Sequence, residues 1–199
     1  MTLRGPFGIC AIAAVTLLVS RPCVMEAQMA APMISVPDSA RDGAHDFDFM
    51  HGEWKATLKR LVKPLTGSTT WVEFAGTQTT KPIWDGSANM DEFIVDNTQQ
   101  NIHIRGMTLR LYNPATREWS IYWANKTSGT LGLPAVVGRF KNGRGEFYDQ
   151  EEFNGRTIFV RYAWSDITPT SAHFEQSFST DAGKTWETNW ISDLTRPRK

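Results

Sequence analysis

The stretch Glu146–Ser165 reads EFYDQEEFNGRTIFVRYAWS, which is two runs of alternating residues on either side of an Asn-Gly pair. Asn154-Gly155 is typical of the tight turn of a β-hairpin, because both residues tolerate a positive φ. The flanking runs are rich in Phe, Tyr, Trp, Val and Ile, which favour strands. This stretch therefore predicts two antiparallel strands.

The same pattern continues along the chain after residue 50. Turn signals recur, for example at Asn113-Pro114, Asn142-Gly143 and Asp181-Ala182-Gly183, and no run of ten residues has the apolar spacing of a helix. About ten strands are predicted: Glu53–Val62, Thr69–Thr80, Ala88–Asp96, His103–Tyr112, Glu118–Ala124, Ala135–Phe140, Glu146–Phe153, Thr157–Ser165, Ala172–Ser179 and Thr185–Leu194. The predicted fold class is all-β, with the strands in an antiparallel meander.

A meander of this length has to protect its edge strands, and closure into a β-barrel is the usual solution. Alternation supports closure: Trp119, Ile121 and Trp123 share one face of their strand. In Thr185–Leu194 the same spacing places Trp186, Thr188 and Trp190 on one face. A closed barrel encloses packed side chains or one small ligand, and a two-sheet sandwich is the alternative architecture.

The first 31 residues have the layout of a secretory signal peptide. Arg4 supplies a positive charge, the 13 residues Phe7–Val19 are apolar, and small residues follow at Ala27, Ala30 and Ala31. The apolar run is too short to span a bilayer. We therefore expect cleavage between residues 27 and 31.

The alternative to a signal peptide is a membrane anchor, against which Arg21 and Pro22 argue because they interrupt the apolar stretch. The expected organisation is a signal peptide over residues 1–31, a polar N-terminal segment over 32–46 and a barrel domain over 47–199. The mature protein is expected to be periplasmic or secreted, with no stable membrane insertion after processing. No other stretch approaches the length of a membrane span.

Composition excludes several classes of function. The chain has 21 Lys and Arg against 21 Asp and Glu, and this balance lacks the basic excess with which proteins bind nucleic acids. Cys10 and Cys23 both lie in the expected signal peptide. The mature chain is therefore predicted to have no disulfide, thiol nucleophile or Cys-ligated metal.

A short motif at the start of the first strand, Phe47-x-Phe49-x-x-Gly52-x-Trp54, resembles the barrel-opening motif of the lipocalin and fatty-acid-binding (calycin) group. In that group the Trp closes the base of the barrel, so the resemblance implies structural roles for Gly52 and Trp54. Four further stretches resemble bacterial secreted lipocalin-like domains of unknown function: Trp71–Gly76, Leu109–Pro114, Trp119–Trp123 and Trp186–Trp190. The resemblance covers nearly all of residues 47–195 and implies a barrel without implying an activity.

A second motif, Ser179-x-Asp181-x-Gly183-x-Thr185-Trp186, matches the Asp-box pattern of sialidase propellers. A propeller needs several blades of about 40–45 residues each, and this chain has one copy of the motif. We interpret Asp181 as the cap of a tight turn, Gly183 as a residue of positive φ and Trp186 as a ring packed beneath the hairpin.

Histidine-based sites are not indicated. His45 and His51 flank an acidic entry segment, but their spacing matches no compact metal motif, and no metal or cofactor is predicted. Haem barrels of the nitrobindin type, which are related in architecture, use a His close to the C-terminal end, and the last predicted strand, Thr185–Leu194, has none.

Charged residues on apolar faces are the candidates for chemistry. Glu151 lies on the face of Phe147 and Phe153, Glu92 on that of Met90 and Ile94, and Arg105 on that of Met107 and Leu109. If these faces point into the barrel, burial raises the carboxyl pKa values into the range of acid–base catalysis. The alternative is that these charges face water.

The leading hypothesis is an exported lipocalin-like barrel that binds a small, largely apolar molecule. Ligand sites combine an apolar lining with a few polar groups. The aromatic wall is predicted to be Trp123, Tyr162, Phe178 and Trp190, and the polar groups Gln176, Glu151 and Arg105.

The first alternative is a cofactor-independent isomerase, cyclase or hydratase that uses Glu151, Glu92 and Arg105. The second is a protein-interaction module, which a core without a cavity above about 300 Å³ would favour. Neither the ligand nor the oligomeric state is readable from the sequence.

Overall fold

The computed structural model describes residues 42–197, which form ten β-strands and two short 3-10 helices, Asp48–Met50 and Trp84–Gly86. The strands are β1 (Gly52–Leu61), β2 (Trp71–Ile83), β3 (Ala88–Asn97), β4 (Ile102–Asn113), β5 (Glu118–Asn125), β6 (Val136–Lys141), β7 (Arg144–Phe153), β8 (Arg156–Ser165), β9 (Ser171–Ser179) and β10 (Glu187–Thr195). The expected signal peptide lies outside the described residues. Among residues 42–197 no helix has the length and apolar character of a membrane span.

The ten strands close into an antiparallel barrel. Each strand pairs with its neighbours in sequence, and β1 pairs with β10 from Lys55 opposite Thr195 to Arg60 opposite Trp190. The predicted all-β meander and its closure are thus confirmed, and the two-sheet sandwich is wrong. The Asn-Gly pairs make tight hairpins as predicted, since Asn154 and Gly155 both have positive φ, at 51° and 72°.

Strand pairing determines which side chains point into the barrel. On β7 and β8, Phe147 lies opposite Tyr162 and Asp149 opposite Val160. Phe147 and Val160 are fully buried, so this face points inward. The same reasoning places the even-numbered residues of β1, β2, β4, β8 and β9 inside, and the odd-numbered residues of β3, β5 and β7.

A β-bulge in β10 changes the alternation that the sequence predicts there. Thr188 lies opposite Ser177 and Trp190 opposite Gln176, which leaves Asn189 as an extra residue. A bulge of one residue moves the following side chains to the other face. The prediction that Trp186, Thr188 and Trp190 share a face is therefore wrong: Trp190 points inward, whereas Trp186 lies outside the barrel.

One end of the barrel is filled by a cluster that we call the base plug: Phe47, Met50, Trp54, Trp119, Phe140 and Phe147. The Phe47 ring is 5.1 Å from the Trp119 ring and 5.0 Å from the Phe140 ring, both edge to face. Trp54 is 1% exposed, and its indole Nε1 donates to the Met50 carbonyl at 2.9 Å. Five of these six side chains are at most 1% exposed, so this end of the barrel is packed.

Residues near both ends of the described part of the chain contact the base plug. The Arg196 guanidinium lies 3.8 Å from the centre of the Trp54 ring and donates to the carbonyls of Glu53 and Phe49. On the N-terminal side, Trp119 Nε1 donates to the Gly43 carbonyl at 2.9 Å. Residues 42–46, which the sequence assigns to a polar segment, therefore contact the barrel.

Candidate functional site

A cavity of about 420 Å³ lies inside the barrel on the far side of Trp164 from the base plug. At its other end it is lined by four exposed or half-buried residues that we call the mouth: His103, Arg105, Asn125 and Thr127. The cavity thus reaches solvent at the end of the barrel opposite Trp54. The remaining lining residues are Gln78, Asp91, Phe93, Ile104, Thr108, Arg110, Ile121, Trp123, Tyr162, Trp164, Phe174, Gln176, Trp190, Ser192 and Leu194.

Six aromatic rings make most of the apolar lining, and they form two groups. In the first, the Phe93 ring is 6.0 Å from Trp123 and 6.4 Å from Trp190. In the second, the Phe174 ring is 5.3 Å from Tyr162 and 4.8 Å from Trp164. Aromatic rings prefer such edge-to-face and tilted contacts, so the wall presents planar apolar surfaces to the cavity.

The position of Trp123 depends on a glycine in the neighbouring strand. Gly106 lies on the inner face of β4 opposite Asn125, and a Cβ added to Gly106 would overlap the indole of Trp123. The Trp123 ring therefore lies flat over the backbone of β4 in the space that a side chain would fill. Glycine in a strand interior often marks such a close approach.

The base side of the cavity carries a buried ion pair, which we call the inner ion pair: Asp91 on β3 and Arg110 on β4. Arg110 Nη1 donates to Asp91 Oδ2 at 2.7 Å, and the two side chains are 3% and 0% exposed. The same Nη1 donates to Asn89 Oδ1 at 2.9 Å, and Gln78 Nε2 donates to Asp91 Oδ2 at 2.7 Å. The Arg110 guanidinium also lies 5.1 Å from the centre of the Phe47 ring.

The structure places the predicted ligand residues unequally. Trp123, Tyr162, Gln176 and Trp190 all line the cavity. Gln176 is oriented by Asn189, the bulged residue, whose Oδ1 accepts a hydrogen bond from Gln176 Nε2 at 2.7 Å. The bulge therefore helps to place one of the polar groups of the site.

Phe178 does not line the cavity. It packs with Ile158, Val160 and Phe153 in a small cluster near the mouth end of β7–β9, and Leu65 from the β1–β2 loop covers this cluster. The loop is attached by a hydrogen bond from the Leu65 backbone N to Glu187 Oε1 at 2.6 Å. This corner of the barrel is therefore filled.

Glu151 is on the inward-facing side of β7 but is exposed, and it does not line the cavity. The neighbouring Asp149 is more deeply placed: both of its oxygens are buried, and no N–H or hydroxyl of residues 42–197 donates to either. Burial, together with the nearby Glu151 carboxylate, raises the pKa of Asp149 to about 7. Burial also raises the pKa of the Tyr162 phenol, and the two carboxylates raise it further.

The prediction that Glu92 and Arg105 face into the barrel is wrong. Glu92 lies opposite Met107, and Arg105 opposite Ile94, on the outer face of β3 and β4. Arg105 nevertheless lines the cavity as part of the mouth, and its Nη2 donates to Asp96 Oδ2 at 2.6 Å. Both faces of these strands mix apolar and polar residues: Phe93 and Val95 are buried beside Asp91 inside, and Met107 and Leu109 lie beside Arg105 outside.

The residues interpreted as structural lie away from the cavity. Gly52 has a φ of +92°. Trp54, two residues further along β1, belongs to the base plug. Asp181 accepts hydrogen bonds from the Thr185 backbone N–H and hydroxyl at 2.9 and 2.7 Å, and these bonds lower its pKa to about 2. Gly183 has a φ of +81° and lies against the Trp186 ring. On the outer wall, Trp186 contacts the Arg161 guanidinium at 4.8 Å.

The His and Asp side chains near the chain entry form a small hydrogen-bonded group. His45 Nδ1 is 3.0 Å from Asp48 Oδ2, and His51 Nε2 is 3.7 Å from Asp48 Oδ1. Over residues 42–197, no group of three or more His, Cys, Asp or Glu side chains is arranged to hold a metal ion.

Sequence reasoning did not identify the inner ion pair or its partners Gln78 and Asn89. The signal that would have found them is the pairing of β3 with β4, because Asp91 lies opposite Thr108 and Asn89 opposite Arg110. An acid and a base then face each other diagonally on the same side of the sheet.

Comparison with known proteins identifies the fold. No family model matches the sequence, and no curated protein matches it either. The structure is similar to that of the S-type phycobiliprotein lyase CPES from Guillardia theta, with a TM-score of 0.51 and 13% sequence identity over 77% of this chain and 92% of that chain. At this identity the similarity concerns the fold, and it shows that this chain forms a lipocalin-like β-barrel.

Proposed function

We propose that this chain is an exported lipocalin-like barrel that binds a small, largely apolar molecule in the cavity described above. The observation that carries the proposal is the cavity itself: about 420 Å³, walled by six aromatic rings, with polar groups gathered at its base side. Ligand cavities are typically about 300–1,000 Å³, largely apolar, with a few placed polar groups. The similarity to another lipocalin-like barrel supports the proposal, because closed barrels of this size can enclose one small ligand.

Neither alternative has this support. An interaction module was expected to have a filled core, whereas this barrel has a cavity larger than about 300 Å³. The enzymatic alternative required inward carboxylates at the ligand, and it is not favoured. Glu92 faces outward, Glu151 does not line the cavity, and the carboxylate that does, Asp91, is paired with Arg110.

Export is part of the proposal and rests on the sequence of the first 31 residues. N-terminal sequencing of the protein from its host should find a chain that begins between residues 28 and 32. Such a chain lacks both cysteines and should therefore give no reaction with a thiol reagent after unfolding. A chain that retains Met1 or Cys10 would contradict export through a cleaved signal peptide.

Ligand binding can be tested with N-phenyl-1-naphthylamine, a neutral aromatic probe that fluoresces in apolar surroundings. The probe should bind the native protein and be displaced by the natural ligand. Thr108→Phe fills part of the cavity and should weaken probe binding at least about tenfold, since the ring occupies the space of the ligand. Leu109→Phe is the matched control, because Leu109 is the next residue of β4 and faces outward.

Equal probe affinity in the two variants would contradict binding in this cavity. A second measurement is native mass spectrometry of the protein purified from its own host. A bound small molecule should be found in the wild-type protein and be lost in Thr108→Phe while it is kept in Leu109→Phe.

A further inference from the structure

The inner ion pair has more unused donors than unused acceptor sites: Asp91 uses three of its about four lone pairs, whereas Arg110 uses only the N–H groups of Nη1. Both oxygens of Asp91 are occupied: Oδ2 accepts from Arg110 and Gln78, and Oδ1 from the Thr108 backbone N–H at 3.2 Å. Arg110 donates through Nη1 alone. Within residues 42–197, neither its Nε, which is buried, nor its Nη2 has an acceptor, although a guanidinium carries five N–H donors. A ligand that reaches this pair therefore meets more unused N–H donors on Arg110 than unused lone pairs on Asp91.

The charges of the other residues that line the cavity also favour an anionic ligand. Asp91 is the one carboxylate among the described residues that line the cavity, and its charge is matched by Arg110. Arg105 and His103 at the mouth add positive or neutral groups, and both contact Asp96, which is not in the lining. The cavity therefore favours an anionic group over a cationic one.

We infer that the ligand is an acid: a molecule with a flat apolar body and one anionic head, such as a carboxylate or sulfonate, that accepts from Arg110 Nη2. This inference rests on the proposed function and adds the chemical class of the ligand. The apolar body lies along the aromatic wall toward the mouth, because Arg110 is at the end of the cavity next to Phe47 and Trp164. The acid head thus enters first. An amine in the same place would lie beside the positive guanidinium of Arg110 and would leave its unused N–H donors without an acceptor.

A pair of probes that share one body isolates the contribution of the head. N-phenyl-1-naphthylamine is neutral, and 1-anilinonaphthalene-8-sulfonate is the same molecule with a sulfonate group. The sulfonate probe should bind the wild-type protein about tenfold more tightly or better, since a hydrogen bond to a buried charge is among the stronger polar contacts. The preference should persist as the salt concentration is raised, because buried charges are screened far less than exposed ones.

The double variant Asp91→Asn/Arg110→Met removes the guanidinium without leaving a buried carboxylate unpaired. It should lose the preference for the sulfonate probe while its affinity for the neutral probe stays within about threefold of wild type. Arg139→Gln is the matched control: it also removes one arginine, but an exposed one that pairs with Glu118 and does not line the cavity. It should keep the preference.

Four outcomes separate the two proposals. If neither probe binds the wild-type protein, the proposed function fails, and the inference fails with it. If the neutral probe binds as tightly as the sulfonate probe, the inference fails while the proposed function stands. A preference that survives in the double variant, or that disappears in Arg139→Gln, also overturns the role of Arg110. Should the double variant not fold, the salt dependence of the wild-type protein decides the matter: a preference for the sulfonate probe that disappears at high salt would place the sulfonate at an exposed charge and overturn the inference.

Discussion

The base plug and the cavity are built from the same residue types but differ in how much space the rings fill. At the base plug, Phe47 contacts the rings of Trp119, Phe140 and Phe147, and the plug side chains other than Phe140 are almost fully buried. One layer further along the barrel, Trp123 and Trp190 line a space of about 420 Å³. Aromatic content alone therefore does not indicate a ligand site. Both ends of the barrel are rich in aromatic residues, but the entry segment Phe47–Met50 fills one end and leaves the other open.

Removing one Trp from each region should give the largest contrast in stability. Trp54→Ala should lower the free energy of unfolding by about 3–5 kcal/mol, because it opens a cavity in a packed cluster. Trp123→Ala should cost less than about 2 kcal/mol, because Trp123 is half-buried and already borders a cavity. Urea unfolding measures both values, with Trp84→Ala, at a residue that is 70% exposed, as the control near zero. Equal losses at Trp54 and Trp123 would show that the cavity wall is as tightly packed as the base plug.

The inner ion pair lies between the base plug and the cavity. Substitutions of Asp91 and Arg110 show whether the attraction between these two charges stabilises this part of the barrel. Arg110→Met alone should destabilise the protein by about 3–5 kcal/mol, because it leaves the Asp91 carboxylate buried without its partner. Asp91→Asn/Arg110→Met should be within about 2 kcal/mol of wild type, because no buried charge remains. The same urea unfolding curves measure this difference. A double variant as unstable as the single one would mean that the shape of Arg110 against Phe47, and not its charge, holds the boundary.

The fold could be predicted because its signals are local. Each hairpin turn and each strand is indicated by a few adjacent residues, as at Asn154-Gly155, and the ten predicted strands overlap the ten observed ones. Barrel closure followed from the physical need to protect the edges of a long meander. The plugging of the base by Trp54 was implied by a resemblance and not by these local signals.

The site was less predictable because the inner face of a strand is a property of a pair of strands. Arg105 was placed inside because Met107 and Leu109 share its face, yet these apolar residues are half-buried on the outer wall. Asp91 and Arg110 are separated by 19 positions and meet only through the β3–β4 register. The bulge at Asn189 likewise changes the faces of β10 without any turn signal in the sequence.

The acidic groups on the inner and outer sides of the barrel should respond to pH in opposite ways. Asp149 has its pKa raised to about 7 by burial and by Glu151, so the folded state favours its neutral form. Its stabilising contribution is therefore full below the unfolded pKa of about 4 and is lost as the pH rises through 7. Asp149→Asn should match wild type at pH 4 and be more stable at pH 8. The gain should be about 2 kcal/mol, roughly half of what the pKa difference alone would give, because Asp149 is half-buried and solvent screens part of its charge.

The matched control for Asp149 is Asp96 at the outer surface. Hydrogen bonds from Arg105 and His103 lower the pKa of Asp96, so its contribution is present above the unfolded pKa and is lost as the pH falls. Asp96→Asn should therefore lose stability at pH 8 and not at low pH, the reverse of Asp149→Asn. Thermal unfolding at a series of pH values measures both, and parallel curves for the two variants would contradict the burial of Asp149.

The smallest expected contrast comes from two inner glycines, Gly145 at the base plug and Gly106 at the cavity. Neither has a positive φ, so alanine introduces no backbone strain and acts through its added methyl group. At Gly145 this methyl would lie 2.7 Å from the Phe140 ring, which the surrounding rings hold in place. Gly145→Ala should therefore cost about 1–3 kcal/mol by overpacking.

At Gly106 the added methyl meets Trp123, whose ring has free space on its cavity side. Gly106→Ala should cost less than about 1 kcal/mol, because the indole can move away from the backbone. That movement reduces the cavity, so the variant should bind N-phenyl-1-naphthylamine several-fold more weakly, whereas Gly145→Ala should bind it as wild type does. Gly145→Ala should thus lower stability without changing probe affinity, whereas Gly106→Ala should lower probe affinity with little loss of stability. The Phe140 ring has no space to move, whereas the Trp123 ring borders the cavity. Loss of stability at Gly106 equal to that at Gly145, with unchanged probe binding, would show that Trp123 is fixed and does not define the volume open to a ligand.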